Sequence, residues 1–129
     1  MAKKNLTQYL LKPLELEAGD ITLVSPVPSV EKGKQLTILT ERGQQLLDGD
    51  ESAADYQIHG IETVEDMARY IFTKESVDAA LKAGISLPDL TNFITYAMAY
   101  WVMGEEAADA YMQAISEAND PKGQSPRKP

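Results

Sequence analysis

Ser86-Leu87-Pro88-Asp89-Leu90-Thr91-Asn92-Phe93-Ile94-Thr95-Tyr96-Ala97-Met98-Ala99-Tyr100-Trp101-Val102-Met103-Gly104 is the most strongly helical stretch of the chain. Ser86 can accept an N–H of the first turn, Pro88 sits where its missing N–H costs nothing, and Asp89 faces the positive end of the helix. Leu87, Leu90, Ile94, Ala97, Met98 and Trp101 form one stripe at spacings of three and four. Gly104 stops the run, and Glu105-Glu106 opens another helix with two carboxylates in its first turn. Ala108, Tyr111, Met112 and Ile115 line one side of that second helix, which is expected to fray by Ala118. Two adjacent amphipathic helices joined by one glycine predict a helical pair that the rest of the chain must cover.

Upstream, Thr63-Val64-Glu65-Asp66 has the capping-box pattern, followed by the stripe Val64, Met67, Ala68 and Ile71. A cap at Thr73 or Ser76 starts a helix through Val77, Ala80 and Leu81, which Gly84 ends. Ser29 is placed to cap a longer helix over Val30–Leu47, whose face carries Val30, Leu36, Leu39, Leu46 and Leu47. Gly33 and Gly43 fall where that face could approach a neighbour closely. Between these helices, Asp48-Gly49-Asp50-Glu51 and the residues through His59-Gly60 lack any period and predict a loop.

Nearer the start, Leu14-Glu15-Leu16-Glu17-Ala18 alternates apolar and charged residues, Gly19-Asp20 offers a turn, and Ile21-Thr22-Leu23 alternates again. This predicts a β-hairpin, ended by Ser25-Pro26-Val27-Pro28-Ser29, because neither proline has an N–H for a ladder. Leu6, Tyr9 and Leu10 fit a short helix that Lys12-Pro13 interrupts. At the other end, residues 119–129 contain three prolines and no large apolar side chain, so they are expected to form a flexible, basic tail rich in Pro, Gly and Ser. The predicted fold is mainly α with a small N-terminal β-hairpin (α+β). It is a compact bundle of four to five short helices in a single domain over residues 1–118, followed by a disordered C-terminal tail.

The composition agrees with one globular unit. The chain has 129 residues, 43% of them apolar and 25% charged, and at this length roughly two thirds of the unfolded surface can be buried. It has no cysteine, so disulfides, thiolate metal sites and cysteine nucleophiles are excluded. Twelve cationic residues against twenty acidic ones give a net charge of −8. Without the tail, residues 1–118 carry nine positive and nineteen negative side chains, a net of −10. Such a field repels the phosphates of nucleic acid and of an anionic membrane, so neither is an expected partner. No segment approaches the ~18 apolar residues of a membrane span, and the first residues lack the hydrophobic run of a secretory signal. A cytoplasmic protein is expected.

The chemistry-bearing residues do not assemble into a reactive motif. His59 is the only histidine, and a triad with Ser52 or Ser76 would lack the G-x-S-x-G elbow. The acidic stretch at residues 48–51 fails the twelve-residue calcium pattern, and the spacing of Gly33 and Gly43 builds no phosphate cradle. Glu15 and Glu17 share one face of a strand, as an exposed polar face requires. No catalytic residue, cofactor or metal site is therefore expected, and the chain reads as a non-enzyme. The aromatic group Phe93, Tyr96, Tyr100, Trp101 and Tyr111 is the more informative signal. Tyr96 and Tyr100 lie four apart and off the main stripe, and burial of a central helix on most of its circumference would explain them. They could also grip a partner, since Tyr, Trp and Met carry interface energy and adapt to varied side chains. Tyr96, Met98, Tyr100, Trp101, Met103 and Tyr111 are the candidate partner-binding residues.

Asn5-Leu6-Thr7-Gln8-Tyr9-Leu10, the hairpin at residues 14–23, Pro28-Ser29-Val30-Glu31-Lys32-Gly33, Leu81-Lys82-Ala83-Gly84-Ile85-Ser86-Leu87-Pro88 and Gly104-Glu105-Glu106-Ala107-Ala108 follow one another in an order with a counterpart elsewhere. Over roughly residues 5 to 115 this order resembles the tail assembly chaperones of siphophages and prophages of Gram-positive hosts. The resemblance rests on caps and turns taken together, with no catalytic residue to carry over. It implies a protein of the host cytoplasm, absent from the mature virion, that binds the tape-measure protein and promotes tail-tube assembly around it. Possible further partners are the tail-tube protein, a longer frameshifted form of the chain itself, of which this would be the short form, and a second copy in a homo-oligomer. The alternative is a structural tail or head-tail connector subunit retained in the virion, whose outer hairpin strand adds to a neighbour's sheet.

Overall fold

The structure, a computed structural model, describes residues 3–47 and 61–119. A 3-10 turn at Thr7–Tyr9 precedes β1 (Leu14–Ala18) and β2 (Ile21–Ser25), and five helices follow. They are α1 (Val30–Leu47), α2 (Val64–Ile71), α3 (Lys74–Lys82), α4 (Leu87–Met103) and α5 (Glu105–Asn119). The mainly helical architecture with an N-terminal hairpin is the expected one. The loop expected at residues 48–51, Ser52, His59 and the tail expected at the C-terminal end lie outside the described set, as do the surroundings of Gly43 and the side chains of Leu46 and Leu47, although these three belong to α1. Asn119, expected to open the tail, is instead the last residue of α5.

The hairpin is antiparallel, with Ala18 opposite Ile21 across the two-residue turn and Leu14 opposite Ser25 at the open end. Gly19 takes φ +60 there, a conformation that a side chain would strain. Alternation puts Leu14, Leu16, Ile21, Leu23 and Ser25 on the inner face, where Leu23 and Ser25 are buried, and leaves Glu15 and Glu17 in water. The second strand continues to Ser25, two residues beyond the expected Leu23. Its outer edge is satisfied without a third strand: the Thr73 N–H donates to the Val24 carbonyl at 2.8 Å, and the Val24 N–H donates to Ser76 Oγ at 3.2 Å. Strand β2 is thus sewn to the junction between α2 and α3.

Each helix start follows its capping chemistry. Ser29 Oγ accepts from Lys32 N at 3.1 Å, Thr73 Oγ1 from Ser76 N at 3.3 Å, and Ser86 Oγ from Asp89 N at 3.1 Å. Thr73, not Ser76, is therefore the cap of α3. At α2 the box is complete, with Thr63 Oγ1 accepting from Asp66 N and Asp66 Oδ2 accepting from Thr63 N. The N–H of Glu62, with the N–H and hydroxyl of Thr63, holds the Asp66 carboxyl below its usual range. Gly104, at φ +102, is both the end of α4 and the hinge into α5: its N–H reaches Tyr100 O, and its carbonyl receives the Ala108 N–H. With a single residue between them, α4 and α5 fold back on each other, and each buries a small side chain, Ala99 and Ala108.

The core gathers Leu23 from the hairpin, Leu36 from α1, Ala68, Ile71 and Phe72 around α2, Val77 and Ala80 from α3, and Leu90, Ile94 and Ala97 from α4. Three stripe residues depart from expectation, Tyr111 of α5 among them. Val30 and Leu87 are the first residues of their helices and stand 78% and 62% exposed, because helix periodicity assigns a face but not the point where that face clears its neighbour. Gly33 does not mark a close approach, as a Cβ there would meet open space.

One buried polar group ties the layers together. Ser25, 1% exposed, donates its hydroxyl to the carbonyl of Ile71 at 2.8 Å and accepts the indole N–H of Trp101 at 2.9 Å. A buried donor or acceptor left unpaired costs about 1–3 kcal/mol. Ser25→Ala orphans both partners and should lower stability by about 2 kcal/mol, roughly 8 °C in Tm, in urea or thermal melts. A change within about 0.5 kcal/mol, the range of an ordinary surface substitution, would show that the bridge carries little.

Candidate functional site

A groove of about 440 Å³ opens between the hairpin and the α4–α5 pair. Leu16, Ala18 and Ile21 form its hairpin wall, Ile85 closes one end, and Met112 of α5 stands opposite. Its floor is α4, where Asp89, Asn92, Phe93 and Tyr96 face the opening. Asp89, Phe93 and Tyr96 lie at i, i+4 and i+7, so the helix delivers them to one face over about 10 Å. The lining is mostly apolar, its charged members are Glu17 and Asp89, and no Lys or Arg contributes to it. A trough of apolar and aromatic side chains with acidic edges suits an amphipathic helix that brings an apolar stripe and cations.

Tyr96 fixes the groove's far wall. Its hydroxyl donates to Asp109 Oδ1 at 2.6 Å, joining α4 to α5 across the open side. Burial, then the hydrogen bond and negative charge of Asp109, with Glu105 adding to the field, push the phenol up to about 12. Tyr100 continues the aromatic run, 6.3 Å between ring centroids from Tyr96 and edge-on to Trp101 at 5.0 Å.

The six residues expected at a partner face are therefore dispersed. Tyr96 lines the groove and Tyr100 is half-buried beside it. Met98 and Trp101 pack against the core instead, and Trp101 is further committed by its bond to Ser25. Met103 and Tyr111 are 50% and 40% exposed but do not line the groove. Leu16 and Ile21, which alternation assigns only to the hairpin, join the lining, as do Ile85 and Asn92, neither expected at a site; Phe93 enters it from the aromatic group and Met112 from the α5 stripe. The i, i+4, i+7 series Asp89, Phe93, Tyr96 was the available signal.

Among the described residues no three His, Cys, Asp or Glu side chains gather so as to hold a metal ion. No described helix is long and apolar enough to cross a membrane.

The described residues thus define a small α+β domain of five helices on a hairpin, with an apolar groove between the hairpin and the α4–α5 pair. Residues 4–129 match the family model described as Domain of unknown function (DUF7426), and the chain belongs to that family. No curated protein and no solved structure matches it.

The raised Tyr96 phenol makes a pH-dependent contribution. The folded state holds this proton more tightly than the unfolded chain, whose phenol titrates near 10, so the contribution is complete below pH 10 and is lost as pH climbs toward about 12. An ultraviolet titration should show Tyr96 ionising after an ordinary tyrosine, and Tyr96→Phe should remove that late step and flatten the alkaline loss of stability. A phenol that titrates with the other tyrosines would mean that the Asp109 bond does not persist in solution.

Proposed function

We propose that this protein is a non-catalytic chaperone of siphophage tail assembly, which binds the tape-measure protein and promotes tail-tube assembly around it. The groove is the observation that carries the reading, joined to the resemblance of the chain over residues 5 to 115. A tape-measure protein is long and helical, and its apolar stripes expose it to aggregation until tube subunits cover it. A groove floored by Phe93 and Tyr96 takes up such a stripe, while the acidic surface keeps the complex dissolved and repels like complexes. Two helical turns of floor make a small contact, so each site binds weakly and lets go when tube subunits arrive. Met112 on the wall gives the groove tolerance for different side chains as the register changes. Chaperone action of this kind needs no bond made or broken, and it operates in the host cytoplasm with the protein absent from the finished particle.

Co-expression with a tape-measure fragment tests this. The soluble yield of the fragment should rise several-fold with the chain present and fall back with Met112→Lys, which puts a cation into the apolar wall. A fragment no more soluble with the chain than without it would overturn the reading.

A second reading, a connector subunit retained in the particle, draws on β1. Among the described residues β1 pairs only with β2, so its outer edge is open to a neighbour's strand. Mass spectrometry of purified virions separates the two: the chaperone should be missing, and a connector should be present at a fixed ratio to other tail proteins.

A further inference from the structure

Residues 3–13 are exposed throughout. Within them Leu6, Tyr9, Leu10 and Leu11 stand 56%, 66%, 69% and 68% exposed, and the turn at Thr7–Tyr9 buries none of its residues. Asn5 Oδ1 accepts from Thr7 N at 2.9 Å, so the turn is shaped locally, before any packing. Leu6 and Tyr9 fall three apart across this single 3-10 turn, and Leu10 follows directly in extended conformation. Scattered apolar residues on a surface are ordinary, but four large ones within six positions form a patch that water does not favour. The same segment carries Lys3, Lys4 and Lys12 and no acid. The groove has the complementary character, with an apolar floor, Glu17 and Asp89 at its edge, and no cation in its lining.

We infer that the N-terminal segment, residues 3–12, of one copy docks in the groove of a second copy. Leu6, Tyr9 and Leu10 lie against Phe93, Ile21 and Met112, and the lysines approach Glu17 and Asp89. The chain's own groove is badly placed for this segment. The segment enters β1 at Leu14, opposite Ser25, and the groove runs beside the strand from Leu16 to the turn, away from the direction in which the segment arrives, so self-docking requires the chain to double back before Leu14. Pro13 holds the link extended and opposes the reversal that self-docking requires. Because the donated segment and the accepting groove are different surfaces, the contact is heterologous, and repetition gives a ring or an open chain of subunits. The segment presents the same chemistry as a client helix, so client and neighbour compete for one groove. The inference rests on the groove described above and not on the identity of the client.

Two variants test it by sedimentation velocity. In Leu6→Ser/Leu10→Ser the segment loses two apolar side chains at exposed positions. In Asn92→Trp an indole fills the groove. Wild-type protein should associate with rising concentration, and each variant alone should sediment as a monomer with an unchanged circular dichroism spectrum. Mixed in equal amounts, the two should form a one-to-one complex, because one supplies an intact groove and the other an intact segment. Should Asn92→Trp fail to fold, Glu17→Lys/Asp89→Lys replaces it, and this exposed pair should weaken association roughly tenfold at low salt and much less at high salt. Wild-type protein that stays monomeric at high concentration, variants that associate like wild type, or a mixture that does not combine would each overturn the inference. None of these results bears on whether a tape-measure fragment is kept soluble, so the two readings fail separately.

Discussion

Ser25 carries a hydroxyl into a place that water does not reach, and the geometry around it leaves that group one way to be satisfied. Its proton goes to the carbonyl that ends α2, and its lone pair takes the indole N–H near the end of α4. Both bonds must be made at once, so the hairpin, the α2–α3 junction and α4 are set against one another in a single register. Hydrophobic burial of Leu23, Leu36 and Leu90 supplies most of the driving force but is indifferent to small slips, whereas a buried polar group is not. The Thr73 and Ser76 contacts to Val24 repeat the constraint one residue earlier along β2. Once the hairpin is fixed against α4, the groove between its turn end and α5 follows as a consequence.

The helices were legible because their signals are local. Ser86, Thr63 and Thr73 cap helices whose stripes run at regular spacing, and Gly104 separates α4 from α5 with no other residue to confuse the boundary. Ser25 was not legible. A serine before Pro26 reads as the end of a strand, and its partner Trp101 lies 76 residues away, so only the folded chain reveals the bond. The same distance misleads about Trp101, which as an isolated letter suits a partner face but in the fold completes the core. The groove could be read only in part, since its walls come from β1, β2, α4, α5 and the residue before α4. Periodicity within one helix finds the floor and has no access to the opposite walls.

In the function proposed, what acts is a surface, the groove between the hairpin and the α4–α5 pair. Tyr96 lines that surface beside Phe93, and its phenol is tied to Asp109, which links α4 to α5 at the groove. In the docking inferred between copies, the exposed apolar turn at Thr7–Tyr9 and its flanking leucines meet the groove beside the hairpin.

Nuclear magnetic resonance of the side-chain methyls, recorded with and without a tape-measure fragment, addresses the central claim most directly. If the groove is the working surface, shifts should concentrate at Leu16, Ile21, Ile85 and Met112 and leave the methyls of Leu36 and Val77 in the core unchanged. Shifts confined to α1 and α3, or none at saturating fragment, would contradict the account.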